Sequence, residues 1–472
     1  MCKVACGPPP DCLQPRTPPD LPTEVYSPRR NPPCLVAVSI RLIKSTSSML
    51  DLKFIRDNLD LVRQNIAFRG VRNADADLVA NLYQQRNAVI QQLESVRAGR
   101  NETSQKMKGK LDPEERQTLI EHGKQLKLQL EGLEAEERRL DEELMAAARN
   151  IPNMTHPAVP AGGEADSAVI AVHGQPTTFA FPPKDHVTLG MDLGLLDFES
   201  AGTVTGQKFY YLKNEAALLE LALVNYAVSK LVARGWTPYL TPDLARASIL
   251  EAIGFNPRGE ETQVYSIADT DLCLIGTAEI TLGGMLKDRI LRKEELPILM
   301  VGYSHCFRTE AGAHGAAQRG LYRVHQFSKV EMFAFTTPEQ SEAMHQQMLD
   351  LEIEIFTELG LPFHVLDVAA GDLGGPAYRK FDIEAWMPSK NGYGEVTSTS
   401  NCTDFQSRRL MVRYRDESNA TRFVHTLNGT AVAVPRAILA ILENYQQEDG
   451  SVLIPEVLQP FMGGRKNILP KS

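Results

Sequence analysis

The sequence predicts an α+β protein in which two long antiparallel helices precede a body of mixed strands and helices. Leucines recur at alternating three- and four-residue steps from Leu119 to Leu144, which is typical of a coiled-coil helix. An earlier run of similar spacing supplies its partner, and helical and strand patterns alternate towards the C-terminus. A chain of 472 residues is expected to form more than one domain, because one hydrophobic core rarely serves more than roughly 250 to 300 residues.

The composition argues against two classes of protein. A formal net charge of -9 opposes nonspecific coating of nucleic acid, which relies on a globally positive field, although a local basic patch remains compatible. No stretch approaches the roughly 20 apolar residues that span a bilayer, so the sequence predicts no membrane partner.

The first 48 residues differ from the rest, because they hold ten of the 29 prolines and four of the seven cysteines. Repeated prolines remove backbone donors, so we expect a disordered extension. The alternatives are a targeting segment, or a natural start at Met49. The expected location is cytoplasmic, with a mitochondrion or plastid as the alternative if residues 1–48 direct the chain there. The scattered cysteines predict a reduced compartment.

Residues 49–157 form the predicted helical arm. A helix over 52–67 ends before Gly70, and a longer helix begins near Ala74. The chain turns across 106–113, and the return helix ends before Pro152. The side chains predicted to form the arm's apolar stripes are Phe54, Ile55, Leu59, Leu61, Val62 and Ile66, then Leu78, Leu82, Val89, Leu93 and Val96, then Leu119, Leu126, Leu130, Leu133, Leu140 and Leu144.

Charge is divided along this arm. Acidic residues crowd the base between Glu131 and Glu143, whereas basic residues lie towards the tip, which is therefore the expected phosphate-binding end. The basic residues are Arg97, Arg100, Lys106, Lys108, Lys110, Lys124 and Lys127. By itself this pattern is more typical of the solvated face of an ordinary coiled coil.

The remaining chain divides into a linker over 158–190, rich in Pro, Gly and Ala, and an α+β body over 191–472. Within the body, 213–234 predicts an amphipathic helix, and shorter helices are expected over 349–359 and 437–445. Residues 235–242 predict a strand whose prolines suit a sheet edge, where it could pair across a dimer interface.

Two segments of the body carry residues suited to a nucleotide. Arg308 and Glu310 are expected to share one face of a strand that leads into a Gly/Ala-rich loop over 311–320. A guanidinium fork suits phosphate, and a carboxylate suits the adenine amino group. Further on, Arg436 is expected near a helix start, where phosphate groups often bind. Taken singly, Arg308 and Glu310 would more usually form surface ion pairs on a hairpin, and Arg436 could simply be a residue on a helix surface.

The order of these segments resembles a known family. Residues 235–242, 307–310 and 429–436 resemble the three signature motifs of class II aminoacyl-tRNA synthetases. Residues 277–279, 323–331 and 404–409 are similar to those of seryl-tRNA synthetases in particular. The resemblance extends over 49–472. It implies a tRNA-binding coiled-coil arm, followed by a catalytic domain built on a mixed, mostly antiparallel sheet flanked by helices.

The resemblance also implies the roles of individual residues. Arg308, Glu310 and Arg436 would act in catalysis, with Glu310 on the adenine and Phe327 and Arg436 on either side of its ring. Arg323 would hold the outer phosphates, and Glu395 and Ser398 would bind Mg²⁺ with ATP. The implied ATP site comprises Arg308, Thr309, Glu310, Arg323, Val324, Phe327, Glu395, Val396, Thr397, Ser398 and Arg436. The implied serine site comprises Thr277, Ala278, Glu279, Arg308, Glu331 and Thr430.

The implied reaction is the activation of L-serine by ATP, followed by transfer to tRNA(Ser), with tRNA(Sec) as a further candidate, by a homodimer. The basic tip would contact the tRNA backbone. Two alternatives remain open at this point. One is a catalytically inactive paralogue that only binds RNA, and the other is a coiled-coil adaptor with an unrelated C-terminal domain.

Overall fold

The computed structural model describes residues 50–109, 111–255, 263–310 and 320–470. Predictions for residues 1–48, for Lys110 and for most of the 311–320 loop therefore lie outside the described residues. The helices are α1 (Leu52–Asp57), α2 (Leu59–Phe68), α3 (Ala76–Lys106), α4 (Pro113–Ala148), α5 (His186–Asp192), α6 (Phe198–Val204), α7 (Glu215–Ala233), α8 (Ala247–Ile253), α9 (Ala278–Gly284), α10 (Ser341–Glu358), α11 (Phe405–Leu410) and α12 (Val434–Tyr445).

The strands lie mostly in the C-terminal part of the chain. They are β1 (Ala168–His173), β2 (Leu196–Asp197), β3 (Tyr211–Leu212), β4 (Thr237–Leu240), β5 (Leu244–Arg246), β6 (Leu272–Leu274), β7 (Ile290–Arg292), β8 (Ile298–Phe307), β9 (Gln326–Thr336), β10 (Phe363–Asp367), β11 (Arg379–Met387), β12 (Gly392–Asn401), β13 (Arg413–Arg415), β14 (Thr421–Phe423), β15 (His425–Ala433), β16 (Val452–Leu453) and β17 (Asn467–Ile468).

One eight-stranded sheet organises the body, in the order β1-β10-β11-β12-β15-β9-β8-β4. Its neighbours pair antiparallel except β4 and β8, which are parallel. Helices α7, α10 and α12 contribute apolar side chains to the main core against this sheet. The mixed, mostly antiparallel sheet flanked by helices is therefore confirmed.

The arm is a hairpin of α3 and α4. Arg97 lies 3.0 Å from Glu134, and Arg86 lies 2.8 Å from Asp141, so residue numbers rise along one helix as they fall along the other. This is the predicted antiparallel arrangement. Its base buries Leu140 and Leu144 against α1 and α2.

Three details of the arm differ from the sequence prediction, and the first is that Leu61, expected in the apolar stripe, is 49% exposed. The helix expected over 52–67 is broken at Asn58, whose backbone leaves the helical region and whose side-chain amide donates to the Phe54 carbonyl at 3.0 Å. In α3 the predicted core position Leu78 is 45% exposed, while the adjacent Val79 is fully buried. At the base of the arm, α3 packs against α1 and α2 as well as against α4. Its buried face there is therefore not the one that a coiled coil of two helices would bury.

The segment predicted to be a linker contributes to the sheet. Strand β1 lies within 158–190 and pairs with β10, with a register irregularity between Val169 and Ala171. The predicted edge strand over 235–242 is confirmed, since β4 ends the sheet and leaves Leu240 85% exposed.

Helix α7 confirms the helix expected over 213–234. Its length and apolar composition would also suit a membrane span, so the expectation that no stretch approaches such a span is wrong by this measure. Packing accounts for much of its apolar character, because Leu219, Leu223 and Leu231 are buried in the main core. Helices α10 and α12 also confirm the predicted helices, although α10 begins eight residues earlier than expected.

Candidate active site

A cavity of about 460 Å³ opens on the face of the large sheet formed by β9, β12 and β15. Alternate residues of β9 face it, because side chains two apart point to the same side of a strand. These are Phe327, Lys329 and Glu331. Helix α9 and the segment after β8 form the remaining polar walls, with Glu279 and Arg308 respectively. The site thus combines strands that are distant in sequence.

Two β-bulges direct side chains into this cavity. In β12, Glu395 pairs with Glu384 and Thr397 with Ile383, so Val396 is the extra residue. A bulge shifts the alternation by one, which places Glu395 and Ser398 on the same face. In β15 the register shifts between Thr430 and Val432, and both Thr430 and the later Ala433 line the cavity.

One end of the cavity holds two carboxylates. Glu279 accepts from the Gln406 amide at 2.7 Å and from the Asn428 amide at 2.9 Å. Thr277 caps the N-terminus of α9, its hydroxyl accepting from the Glu279 backbone amide at 3.2 Å. Glu331 lies 2.5 Å from the Lys329 ammonium.

These carboxylates differ in their electrostatic surroundings. Burial, together with the nearby negative charge of Glu331, raises the pKa of Glu279 to about 7. The Thr430 hydroxyl donates to Glu331 at 3.1 Å, so a hydroxyl already lies against that carboxylate. This end therefore presents two acceptors suited to a small molecule that carries both an ammonium and a hydroxyl group.

The other end holds the Arg436 and Glu395 pair. The Arg436 guanidinium lies 3.0 Å from a Glu395 carboxylate oxygen and 4.7 Å from the centre of the Tyr322 ring. Burial alone would raise the pKa of Glu395, but Arg436, and less strongly Lys380, holds it below its usual value. Arg436 lies in the first turn of α12, which confirms its predicted place near a helix start.

Arg308 and Glu310 both line the cavity, but not from one strand face as predicted. Strand β8 ends at Phe307. The Arg308 amide still donates to His325, at 2.9 Å, but the next amide, that of Thr309, donates to Gln263, so the chain leaves the β8–β9 ladder. Glu310 then adopts a positive φ of 50°.

Arg308 occupies a central position. Its guanidinium lies 5.3 Å from the centre of the Phe327 ring and 3.4 Å from the Gly276 carbonyl. Its positive charge favours ionisation of Glu279 at one end and of Glu395 at the other. A ligand that spans the cavity would therefore contact the Arg308 guanidinium.

The cavity contains thirteen of the sixteen residues predicted for ATP and serine. Those on its walls are Thr277, Glu279, Arg308, Glu310, Val324, Phe327, Glu331, Glu395, Val396, Thr397, Ser398, Thr430 and Arg436. Ala278 is instead packed in a neighbouring core cluster. Arg323 is not among the lining residues, although its guanidinium lies 3.4 Å from the Glu310 carboxylate, and the Thr309 backbone amide donates to the Gln263 carbonyl.

Sequence reasoning missed several residues of the site. Tyr322, Lys329, Lys380 and Asn428 line the cavity, and Gln406 reaches Glu279 from behind it. The period-two pattern of β9 could have identified Lys329, because it lies between Phe327 and Glu331 on the same face. The others lie on elements whose contact with the cavity is set by tertiary structure.

The donor set at the Arg436 end fits Mg²⁺ bound together with phosphate. Among residues 50–109, 111–255, 263–310 and 320–470, no cluster of three or more His, Cys, Asp or Glu is positioned to hold a metal. Glu395 and Ser398 offer two oxygen ligands on one face. Mg²⁺ commonly takes one or two protein oxygens and completes its shell with phosphate and water.

The basic residues predicted for tRNA lie on the arm's surface, far along the hairpin from the cavity's elements. Within the described part of the arm they are all exposed. Several are partly neutralised: Lys106 lies 2.8 Å from Glu102, and Lys124 lies 3.4 Å from Glu121. Arg100 and Lys108 form no ion pair with another described residue, so they carry the least compensated charge.

Comparison with known proteins divides the chain in the same way. The model of the seryl-tRNA synthetase N-terminal domain matches residues 49–155. The model of the tRNA synthetase class II core domain (G, H, P, S and T) matches residues 264–445, which include the walls just described. These matches contradict the alternative of an adaptor with an unrelated C-terminal domain.

Relatives that match over nearly their whole length support the same assignment. A serine--tRNA ligase of Treponema denticola is 54% identical over 418 residues, covering 88% of this chain and 99% of the relative. One of Rubrobacter xylanophilus is 53% identical over 416 residues, covering 88% and 98%. The crystal structure of seryl-tRNA synthetase from Pyrococcus horikoshii complexed with ATP is 38% identical, with a TM-score of 0.83, covering 90% of this chain and 100% of that one. The chain therefore belongs to the seryl-tRNA synthetase family and has a class II catalytic core.

Proposed function

We propose that the chain activates L-serine with ATP to seryl-adenylate and pyrophosphate, then transfers the seryl group to the terminal ribose hydroxyl of tRNA(Ser). The observation that carries this proposal is one cavity with two chemically different ends. Carboxylates and a hydroxyl at the Glu279 end suit serine, while the Arg436 and Glu395 pair suits a nucleotide. The relative from Pyrococcus horikoshii that shares this fold is complexed with ATP.

In activation, a serine carboxylate oxygen attacks the α-phosphorus, and the bond to the bridging oxygen of pyrophosphate breaks. Two anions must be aligned, so the main task of the protein is to position them and neutralise their charge. Arg308 lies between the two ends and is suited to contact the α-phosphate and the serine carboxylate. Glu310 and Phe327 would receive the adenine, with Arg436 on its other face.

Serine recognition follows from the carboxylates at the opposite end. Thr277 and Glu279 would bind the ammonium group, and Glu331 would accept from the side-chain hydroxyl beside Thr430. The Lys329 ammonium lies 2.5 Å from the Glu331 carboxylate and balances its negative charge. Alanine lacks the hydroxyl group that Glu331 and Thr430 would bind, so the hydrogen bonds built for that group would be lost and discrimination against alanine should be strong.

Glu395 and Ser398 would hold Mg²⁺ together with ATP, and Arg323 would approach the outer phosphates. The metal, when bound, supplies charge stabilisation to the phosphate oxygens. Arg323 already contacts Glu310 at 3.4 Å, so it lies within reach of the nucleotide end. Val324, Val396 and Thr397 line the same wall.

For the transfer step, the ribose hydroxyl oxygen attacks the seryl carbonyl and AMP leaves. The hairpin tip would hold the tRNA through its phosphates, mainly by Arg100 and Lys108 and also by Lys110, which lies outside the described residues. We extend the proposal to tRNA(Sec) as a second acceptor, to be tested with the same assay.

The chain would act as a homodimer. Strand β4 leaves an unpaired sheet edge with Leu240 exposed, and α7 exposes Leu218 and Leu221. An apolar patch beside a free sheet edge is typical of a surface that pairs with another chain. Sedimentation velocity tests this proposal, and a monomer at micromolar concentration would refute it. The predicted cytoplasmic location is tested by fractionation of cells that express residues 1–472.

The decisive experiment for the function is ATP–pyrophosphate exchange. Exchange should require L-serine and Mg²⁺, and alanine or threonine should not replace serine. Charging of tRNA(Ser) should then follow on addition of the transcript. A chain that binds tRNA but gives no serine-dependent exchange would instead be the inactive paralogue.

A further inference from the structure

Arg69 is a fully buried cation that the proposed reaction does not use. It caps the C-terminus of α2 at the root of the arm and is only 3% exposed. One terminal nitrogen donates to the carbonyls of Asn153 and Ala377 at 2.9 and 3.0 Å. The other donates to Leu373 at 3.0 Å and Gly374 at 2.7 Å. Burial lowers the pKa of Arg69 to about 10, so the guanidinium stays charged at neutral pH.

The carbonyls that it binds belong to a wall of the active site. Residues 374–377 line the cavity, and Arg69 contacts this segment at both ends. Two adjacent glycines begin the segment, so it has little side-chain packing of its own and a high entropic cost of ordering. The contacts from the arm root therefore define where this wall lies.

Asn153, just beyond the arm, braces the same wall. Its side-chain amide lies 2.9 Å from the carbonyls of both Pro376 and Cys402, and its backbone amide donates to Gly375 at 2.9 Å. The Asn65 amide in turn donates to the Asn153 carbonyl at 3.0 Å. The arm root thus holds this wall through a continuous set of hydrogen bonds.

The same hydrogen-bond network reaches the serine end of the cavity. The Asn428 amide donates to Glu279 at 2.9 Å and also lies 3.6 Å from the Cys402 sulfur. A second route runs through α11, where Phe405 packs into the arm-root core and the adjacent Gln406 donates to Glu279. Both routes from the arm root therefore end at the proposed ammonium-binding carboxylate.

We propose that Arg69 is a positioning residue for serine, and that it couples the root of the arm to the active site independently of the tRNA-binding tip. The inference rests on the proposed function. Loss of the guanidinium removes the Arg69 donor from four carbonyls, of which those of Asn153 and Gly374 keep a second donor, and it loosens the wall that this network connects to Glu279. The effect should fall on serine binding more than on ATP binding, because the hydrogen bonds described for the Arg69 and Asn153 side chains do not reach Arg436 or Glu395.

The test compares Arg69→Met with Arg69→Lys and with Arg63→Met, using the full chain. Arg63 is a matched control on the same helix, because its ion pairs with Asp60 and Asp77 are solvent-exposed. In the exchange assay, Arg69→Met should raise the KM for serine about tenfold or more, as expected for lost buried hydrogen bonds, with the KM for ATP changed less than about threefold. Arg69→Lys should recover part of the loss, and Arg63→Met should match wild type.

A second measurement does not depend on activity. Amide hydrogen exchange in residues 371–378 should be faster in Arg69→Met and unchanged in Arg63→Met. If Arg69→Met fails to fold, Asn153→Ala should show the same selective rise in serine KM. An unchanged serine KM, or equal rises for serine and ATP, in an active enzyme refutes the inference alone. A wild-type chain without serine-dependent exchange refutes the proposed function and the inference with it.

Discussion

Replacing Arg436 with alanine removes the cation that the nucleotide end of the cavity provides. The guanidinium lies 3.0 Å from the Glu395 carboxylate and 3.0 Å from its backbone carbonyl, and 4.7 Å from the Tyr322 ring centre. Removal of one fixed donor that stabilises transition-state charge typically costs about 3 kcal/mol, or 10²- to 10³-fold in rate. Loss of the adenine contact adds to this, so we expect Arg436→Ala to give no measurable exchange.

The same change should have a small effect on stability. The Glu395 side chain keeps 40% of its surface exposed, so water can solvate the carboxylate that is left unpaired. Arg436 itself is only 17% exposed, so the pair is partly buried, and its loss should cost less than the roughly 3 kcal/mol of breaking a fully buried pair. The melting temperature of Arg436→Ala should therefore fall only modestly.

Arg379 is a matched control outside the cavity. Its guanidinium also lies 4.7 Å from an aromatic ring centre, that of Phe381, and it pairs with Asp367 at 2.6 Å. That carboxylate is only 7% exposed, so Arg379→Ala should lose about 3 kcal/mol of stability while folded enzyme keeps serine-dependent exchange. Arg436→Ala should thus be the more stable but inactive variant, and Arg379→Ala the less stable but active one.

The assays are pyrophosphate exchange at saturating serine and thermal melting of the same samples. Wild-type exchange in Arg436→Ala would refute the role given to Arg436. Activities that simply follow the melting temperatures of the two variants would refute the argument as well, because the loss would then reflect folding.

Three further outcomes are expected. Deleting the hairpin tip between Arg97 and Lys127 and joining the ends with a short Gly-Ser linker should spare serine activation and abolish charging of tRNA(Ser), since the described tip makes no contact with the cavity. Thr430→Val removes the hydroxyl beside Glu331 and should raise the KM for serine about tenfold while lowering discrimination against alanine. Because burial raises the pKa of Glu279 to about 7, kcat/KM for serine should fall about tenfold per pH unit below that value, and Glu279→Gln should lack this dependence.

Each of these expectations has a result that contradicts it. Equal loss of activation and charging on deletion of the tip would reject a role confined to tRNA. Thr430→Ser keeps the hydroxyl and serves as the control for Thr430→Val, so equal defects in both would point to packing instead. A kcat/KM for serine that stays constant from pH 7 to pH 5.5 would show that ionised Glu279 is not needed for the ammonium group.

Local patterns predicted much of the fold because each depends on neighbouring residues. Helix periodicity located α3, α4 and α7, and prolines identified β4 as an edge. The failures have tertiary causes. Val79 replaces Leu78 in the core because α1 and α2 also pack on the helix, and 158–190 joins the sheet because β10 offers an unpaired edge.

The site could be predicted only where family motifs supplied it. Neither bulge can be recognised from sequence, yet the extra residue Val396 decides which of its neighbours face the cavity. Likewise Gln406 and Asn428 contact Glu279 from α11 and β15, and only the folded sheet brings these elements together. A carboxylate at Glu279 could be expected, but its raised pKa depends on those buried surroundings.

The arm therefore carries two different kinds of contact. Its tip is exposed and polar, so its residues can change without affecting the cavity, and its contribution to tRNA binding should weaken as salt rises. Its root is buried against the catalytic body through Arg69 and Phe405, where salt has little access. Removal of the tip and disruption of the root should consequently impair different steps, transfer to tRNA in the first case and recognition of serine in the second.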